Sequence, residues 1–432
     1  MTTAPLPDAP LQPPVGPLAA APSAPRLPLR TALAVRAGRA TAWLSRRTGR
    51  GAGRIIGGRV TLALEPDALR KLTAGRQVVL VTGTNGKTTT TAMTASVLRQ
   101  LADVATNDDG ANMPDGLVAA LCAAPRAPFA VLEVDEPYVP AVIDATDPAV
   151  LVLLNFSRDQ LDRVGEVSHL DARLREALGR HPACTVVANA DDPVVVSSAG
   201  SANPAEWVSG DALWLHDSTT CPRCARVLVR DGRHWACECG LRRPEAGWTV
   251  TDTELLRGGA VLPLSVSLPG RFNRFNAVTA IAAANTLGAD LDAAVALMGQ
   301  MGAVSGRYST VTLQGRELRF LLSKNPAGAT ETLHMLSATD TPVVVAINGR
   351  EADGRDLSWL WDVPFEELTG RTVIATGERC QDLSVRLSYA GVQHETVPVP
   401  RQALLHAPEG TVDVFANYTA FRELIAEVTP SA

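Results

Sequence analysis

The sequence predicts an α/β fold in two domains. A larger one is built on a parallel-rich sheet and interrupted by a small cysteine-rich insertion; a smaller C-terminal α/β domain follows. Three observations carry that expectation. Short apolar runs alternate with helical patterns along most of the chain, as strand–helix–strand units require. A glycine-rich loop, "TGTNGKT", separates the first such strand from its helix. After residue 306 the alternation restarts, which marks a second unit.

Taken in order, residues 1–28 hold nine prolines among many alanines and predict a disordered tail. A basic helical leader occupies 29–55, with its helix near 30–48 ended by the glycines of "GRGAGRIIGG". The larger domain, 56–305, opens with the buried strand "QVVLVTG" and the helix "KTTTTAMTASVLRQLA" that it feeds. "FAVLEVDE", "AVLVLLN" and "CTVVANADD" read as further buried strands, each closed by polar residues. Ligands of such sheets sit at the carboxyl ends of the strands, so those polar residues are the first place to look for chemistry. Residues 215–245 break the rhythm with four cysteines. "WTVTDTELL" and "VLPLSVSLPG" then resume strand patterning, and "FNAVTAIAAANTLG" is a helix with a glycine stop. In the Rossmann-like C-terminal domain, 306–432, the expected strands are "TPVVVAIN", "RTVIATG", "QHETVPV" and "GTVDVFAN".

Composition narrows the classes of function. The 432 residues, 46 per cent hydrophobic and 20 per cent charged, describe a globular chain of two or three domains. A net charge of −5 gives no general attraction for polyanions, and 4 per cent aromatic residues provide no base-stacking surface. Nucleic acid is therefore not an expected partner. No apolar run reaches the ~20 residues of a bilayer span. Seven cysteines in so long a chain are not a disulfide framework, which points to a reducing, cytoplasmic compartment. Residues 26–59 carry nine arginines and no acid. That pattern fits a transit peptide, a basic helix lying on the inner face of a membrane, or a solvated helix leading into the fold. Lysine is confined to Lys71, Lys87 and Lys324, so a lysine inside a motif is informative.

Phosphate binding needs a loop whose backbone N–H groups surround oxygens at a helix N-terminus. Gly83 and Gly86 permit the close approach, Lys87 supplies a point charge and Thr88 offers a hydroxyl to Mg²⁺. Thr84, Asn85 and Thr89 complete the nucleotide-binding residues expected of the loop. Val81 stands where the general pattern has a further glycine, so the spacing is the shorter G-x-x-G-K-T. Behind the "FAVLEVDE" strand stand Glu133, Asp135 and Glu136; alternation sets Glu133 and Asp135 on one face and Glu136 on the other. Glu133 is the expected Mg²⁺ ligand, directly or through water.

Cys221-x₂-Cys224 and Cys237-x-Cys239, twelve residues apart, have metal-ligand spacing. Four thiolates fill a tetrahedral Zn²⁺ and leave no position for water, so the expected role is structural. His234 is a weaker alternative ligand.

These landmarks resemble those of the Mur ligase superfamily, ATP-dependent enzymes that join a carboxylate to an amine. "TGTNGKTTT" resembles the family's P-loop, and Glu133 matches its magnesium glutamate. "NFSRDQLDRVG" is similar to its N-x-x-x-D-H-L-D segment. "GRFNRFNAVTA" resembles the helix start that contacts adenine, which assigns Asn273 and Asn276 there, and Gly306-Arg307 matches the G-R ahead of the C-terminal domain. The resemblance implies a Mur-ligase-type central domain and adds Arg307 to the nucleotide site. Departures are informative. "HLDARLREAL" lacks the lysine that the amino-acid-adding ligases carbamylate, Gln160 replaces the histidine, and "LLSKNPAGATETL" replaces D-Y-A-H-x-P. With the cysteine insertion, "KNPAG" at 324–328 and "ADGRDLSWLWD" at 352–362, the chain resembles the MurT subunit family of lipid II isoglutaminyl synthase.

That resemblance implies ATP activation of the D-glutamate α-carboxylate of lipid II as an acyl phosphate, followed by attack of ammonia to give D-isoglutamine. It also implies a peripheral place at the inner face of the cell membrane. Cys122, Cys184 and Cys380 lie outside the cluster and none sits in a nucleophile elbow, so ammonia must come from elsewhere. The family names the source as a GatD-type glutaminase, forming a heterodimer through the C-terminal domain. The family's division of labour lends that glutaminase an aspartate, carried here to Asp356, then Asp353, then Asp362. Competing expectations are a Mur- or folylpolyglutamate-type ligase that adds an amino acid, and a zinc-ribbon nucleic-acid-binding ATPase.

Overall fold

Two sheets organise the chain, each assembled from the apolar runs that alternate with helices. A computed structural model describes residues 27–48, 54–107, 110–157, 164–200, 203–210, 216–302, 308–354 and 356–429. The expected tail up to residue 26, "RDQLDR" at 158–163, and Gly306-Arg307 lie outside the described residues.

The N-terminal helices are α1 (Leu29–Arg47), α2 (Arg54–Leu64) and α3 (Ala68–Thr73). The first strand and helix are β1 (Gln77–Thr82) and α4 (Lys87–Leu98). There follow β2 (Val104–Thr106), α5 (Pro114–Ala123), β3 (Phe129–Glu133), α6 (Val139–Thr146), β4 (Val150–Leu153) and α7 (Val164–Arg180). Next come β5 (Thr185–Asn189), α8 (Pro193–Ala199) and β6 (Ala205–Ser209). The insertion contributes β7 (Val229–Asp231) and β8 (His234–Ala236), and β9 (Trp248–Val250), β10 (Glu254–Arg257), β11 (Ala260–Pro263), α9 (Arg271–Thr286) and α10 (Leu291–Met298) complete this part. The sheet order is β11-β10-β9-β6-β5-β4-β1-β3-β2, parallel from β2 to β9. Helices cover both faces, so central strands such as β1 read as continuous apolar runs rather than alternating ones. Each fully buried Val or Leu there contributes roughly 1.5–3 kcal/mol.

Two strand expectations change. "WTVTDTELL" is not one strand but β9 and β10, an antiparallel pair whose turn is held by the Glu254 N–H donating to Thr251 Oγ1 at 3.1 Å. "VLPLSVSLPG" stays paired only to Pro263, which has no N–H to continue a ladder. The expected 55/56 boundary falls inside α2, and the leader is packed rather than separate. Thr31 Oγ1 donates to Glu65 at 3.0 Å, Lys71 pairs with Glu65 at 2.8 Å, and α2 lies on α5. Among the described residues, no helix is long and apolar enough to cross a membrane.

The C-terminal domain begins with the hairpin β12 (Tyr308–Leu313) and β13 (Arg316–Leu322). It continues through α11 (Pro326–Ser337), β14 (Val343–Ala346), β15 (Val373–Thr376), α12 (Cys380–Tyr389) and β16 (His394–Thr396). It ends with α13 (Pro400–His406), β17 (Gly410–Ala416) and α14 (Tyr418–Val428). The sheet order is β12-β13-β17-β14-β15-β16, parallel except for the opening hairpin.

Candidate active site

β1 runs into residues 83–86 and α4 starts directly at Lys87. Gly83 and Gly86 both have positive φ, 138° and 86°. Space enforces glycine as firmly as conformation: a Cβ on Gly83 would lie 2.9 Å from Leu154 Cβ, and one on Gly86 would lie 2.6 Å from Asn276 Oδ1. The loop is braced by the residues that end β4. Asn155 accepts the Thr84 N–H at its carbonyl (2.8 Å) and the Asn85 N–H at Oδ1 (2.9 Å), and its own amide donates back to the Asn85 carbonyl at 3.0 Å. Thr84 Oγ1 donates to the Ser157 carbonyl and accepts the Ser157 N–H. Thr88 and Thr89 are buried in the first turn of α4. Such a loop offers fixed N–H groups and a helix N-terminus to an anion.

Lys87 is buried and holds Glu136 at 2.9 Å and Asp135 at 3.7 Å. Burial pushes the Glu136 carboxyl up, the Lys87 charge pulls it down and Asp135 raises it again. Lys87 thus rests on carboxylates at the spot where phosphate oxygens would compete for it. Glu133 stands opposite Val81 in the β1–β3 register, at the level of the loop. Its backbone exchanges hydrogen bonds with the Asn107 side chain at 2.8 Å, and Asn112 Nδ2 donates to Oε1 at 3.1 Å. Oε2 is buried with no hydrogen-bond partner. An orphaned carboxylate oxygen costs desolvation energy unless something compensates it, so Glu133 fits a hard cation, with the Thr88 hydroxyl as the second expected donor.

The loop opens onto a cavity of about 220 Å³ between the two domains. Asn85, Gly86 and Thr89 line one side, Asn273, Asn276 and Phe272 of α9 another, and Tyr308, Ala327 and Gly328 the far wall. Asn276 donates to Asn273 Oδ1 at 3.4 Å and Asn273 donates to the Pro269 carbonyl at 2.6 Å. The domains meet at an amide pair: Asn325 Nδ2 donates to Asn85 Oδ1 at 3.0 Å, and Asn85 Nδ2 donates to Asn325 Oδ1 at 3.3 Å. Asn325 also caps α11 by accepting the Gly328 N–H at 2.9 Å. Arg271 pairs with Glu331 at 3.3 Å beside it.

Cys221, Cys224, Cys237 and Cys239 gather with all four Sγ atoms within 4.8 Å of one another. Each pair closes a tight turn, Ala225 N–H to the Cys221 carbonyl (2.8 Å) and Cys237 N–H to the Leu241 carbonyl (2.7 Å). The Leu241 N–H on Cys239 holds that thiol down to about 7. A four-sulfur set of this kind can hold a metal ion, with His234 elsewhere on β8. The module is tied to the cavity wall, since Arg243 pairs with Asp191 at 2.9 Å and Asp191 accepts the Gly210 N–H at 2.8 Å. Neighbouring Asp192 accepts the Val194, Val195 and Phe156 N–H groups, and its burial raises the carboxyl to about 6.

The third cluster lies past β14. Asp353 is buried and committed, accepting from the Thr419 N–H at 2.8 Å, from the Thr419 hydroxyl, and from the Arg350 N–H at 3.3 Å. It fastens the loop to α14 and presents no carboxylate outward, against the expectation that it could serve a partner. Asp356 is exposed; the Ser358 N–H donates to it at 2.9 Å and holds its carboxyl below the usual range. Asp362 is exposed at the end of the following turn. Trp361 is 53% exposed and packs edge-on against Tyr389 at 5.3 Å. Arg307, the remaining expected residue, lies outside the described residues. Sequence reasoning missed Asn107, Asn112 and the Arg243–Asp191 pair; "TNDDGAN" was available as a polar run, but β2 ahead of it is too short to announce itself.

Residues 81–211 match the family described as Mur ligase middle domain, and residues 322–421 that described as MurT ligase C-terminal. A Streptococcus pneumoniae protein named lipid II isoglutaminyl synthase (glutamine-hydrolyzing) subunit MurT is 32% identical over 92% of this chain and 97% of its own length. A Staphylococcus aureus protein of the same name is 28% identical over 87% of this chain and 92% of its own. Among solved structures, a pseudomurein peptide ligase type C from Methanothermus fervidus superposes with a TM-score of 0.67 at 20% identity. It covers 84% of this chain and 81% of that one, which shows a common fold.

Proposed function

The chain belongs to the MurT family, a branch of the Mur ligase fold that implies ATP and Mg²⁺, and from that premise we propose its reaction. It amidates the α-carboxylate of D-glutamate in the lipid II stem peptide to D-isoglutamine, as the ATP-consuming subunit of a glutamine-hydrolysing synthase. The observation that carries this reading is the meeting of "TGTNGKT" and "KNPAG" in one cleft, through the Asn85–Asn325 pair.

A carboxylate oxygen attacks the γ-phosphorus, the bond to the β–γ bridging oxygen breaks and ADP leaves. Ammonia then adds to the acyl carbon and loses a proton, and phosphate departs with the former carboxylate oxygen. Lys87 moves from Glu136 onto the phosphate oxygens, and the N–H groups of Gly86 to Thr89 at the start of α4 hold them in line, while those of Thr84 and Asn85 stay on Asn155 and fix the loop. Glu133 and Thr88 would hold Mg²⁺, which would supply charge neutralisation at the phosphates. Asn273, Asn276 and Arg307 orient the nucleotide. Cys221, Cys224, Cys237 and Cys239 would hold Zn²⁺ in a structural role, fixing the module whose Arg243 pairs with Asp191.

The ammonia comes from a GatD-type glutaminase. Burial pushes Cys122 up to about 11 and Cys184 up to about 12, so both are thiols rather than nucleophilic thiolates at neutral pH. Asp356 orients the partner's catalytic histidine, in the role that the third member of a triad plays. Asp362 is the second choice. The test is the purified chain with ATP, Mg²⁺ and lipid II. Amidation is expected with ammonium, and with glutamine only once the glutaminase is added. Amidation from glutamine by this chain alone would overturn the division of labour.

A further inference from the structure

The N-terminal helical pair is packed inside out. α1 buries Thr31, Ala34, Val35, Gly38 and Ala42, while Leu29, Leu33, Trp43 and Leu44 stand 53–77% exposed. α2 repeats the pattern, with Gly57 and Gly58 buried and Ile55 and Ile56 each 46% exposed. Glycine makes this possible by letting the helices touch. A Cβ on Gly38 would lie 2.5 Å from the Gly57 carbonyl, and one on Gly58 would lie 1.8 Å from the Asp115 carbonyl. The bulky apolar side chains are therefore displaced to the outer face, where nothing within the described residues covers them.

Charge says what fits there. α1 carries five arginines and no acid. Arg30 is engaged with Leu64 and Glu65, whereas among the described residues Arg36, Arg39, Arg46 and Arg47 are in no ion pair. Arg47 lies over the Trp43 ring at 5.1 Å, joining the basic and apolar parts of the face. Arginine mixed with Leu, Ile and Trp on one side of a helix is the composition that settles in an anionic bilayer interface, and the helices are not of the spanning kind. Position adds to this. Arg59 of α2 pairs with Asp115 at 2.8 Å at the start of α5, three residues after Asn112, whose side chain holds Glu133. α2 is thus linked through the start of α5 to the segment beside Glu133, the proposed Mg²⁺ ligand.

We propose that the outer face of α1 and α2 docks on an anionic lipid leaflet and so delivers a membrane-anchored substrate to the cleft. This rests on the lipid-linked substrate proposed above. The test uses the full chain with vesicles of phosphatidylcholine, with and without phosphatidylglycerol. Sedimentation with the anionic vesicles alone is expected, weakening as salt rises. Leu33→Asp/Trp43→Asp should reduce the bound fraction at least tenfold, and the charge-only change Arg46→Gln/Arg47→Gln severalfold. Both variants should keep the wild-type amidation rate on substrate dispersed in detergent, which also reports their folding, and lose it on substrate embedded in vesicles.

Absence of vesicle binding, or binding indifferent to both variants, overturns the proposal even if detergent-dispersed substrate is amidated. Vesicle binding with no amidation of either form would instead sink the reaction proposed above and leave the docking face standing. Two other occupants would also overturn it. One is a dimer that Leu33→Asp dissociates, in a chain that ignores vesicles. The other is vesicle binding that appears only after residues 1–26 are removed, because the chain's own N-terminal segment then covers the face.

Discussion

β1 and β14 are both inner strands of largely parallel sheets, and both end in loops rich in polar residues, yet the two loops are built in opposite ways. After β1 two glycines turn the backbone inward, α4 begins at once, and the charges are matched inside the molecule, Lys87 against Glu136. After β14 the base of the loop is locked by Asp353 and by Arg350, which pairs with Glu378 and Glu423. Its tip turns an ionised Asp356 and a half-exposed Trp361 toward solvent. The first arrangement is the one proposed to hold phosphate. The second has a rigid base and an exposed tip that carries Asp356, the aspartate proposed to serve the glutaminase.

Lys87→Ala is the largest break expected at the first loop. It removes the point charge on the transferred phosphoryl group, and amidation should fall by about a thousandfold or more with ammonium and glutamine alike. A loss restricted to glutamine would erase the distinction between the loops. At the second loop, Asp356→Asn should reduce glutamine-driven amidation in the complex by about a hundredfold or more while ammonium-driven amidation stays within about threefold. Equal loss of both rates would move Asp356 to the ATP side.

A change in the four-cysteine cluster asks how self-sufficient the first site is. Cys221→Ser should abolish stoichiometric zinc by elemental analysis and lower the thermal midpoint, because a module with so small a core depends on the ion. With the module loosened, Arg243 no longer holds Asp191, so KM for ATP should rise severalfold. An unchanged midpoint would mean that Leu228, Trp235 and Leu241 suffice as a core. Asp353→Ala separates anchor from tip. It leaves the Thr419 N–H and hydroxyl unsatisfied, costing about 2 kcal/mol in chemical denaturation, with both nitrogen sources affected equally.

Much of the first loop was legible in the sequence, because phosphate binding imposes a local pattern: glycines where φ is positive, a lysine, and an apolar strand ahead of them. The cysteine spacing is local in the same sense. What was not legible depends on residues distant in sequence. Asn155 grips the loop from about seventy positions away, and Asn112 finds Glu133 only once β2 and β3 pair. Asp353 and Asp356 are three residues apart and chemically identical, so nothing local tells anchor from tip; Thr419 of α14 decides it. The arginine-rich leader left three readings open because its buried face, Thr31, Ala34, Val35, Gly38 and Ala42, is made mostly of small residues, which carry little hydrophobic periodicity.

The smallest expected effect tests the seam between the two loops. Asn325 stands at the head of the domain that carries the second loop, and its amide bonds Asn85 in the first. Each hydrogen bond is a neutral one, so Asn85→Ala and Asn325→Ala should each raise KM for ATP only a few-fold, with a coupling of about 1 kcal/mol in a double-mutant cycle. Because the pair acts before nitrogen arrives, ammonium- and glutamine-driven rates should change together. Full additivity would mean that the domains merely lie side by side there. A selective loss of the glutamine-driven rate would mean that closure of the cleft is sensed at Asp356, and the two strand ends would then be one device rather than two.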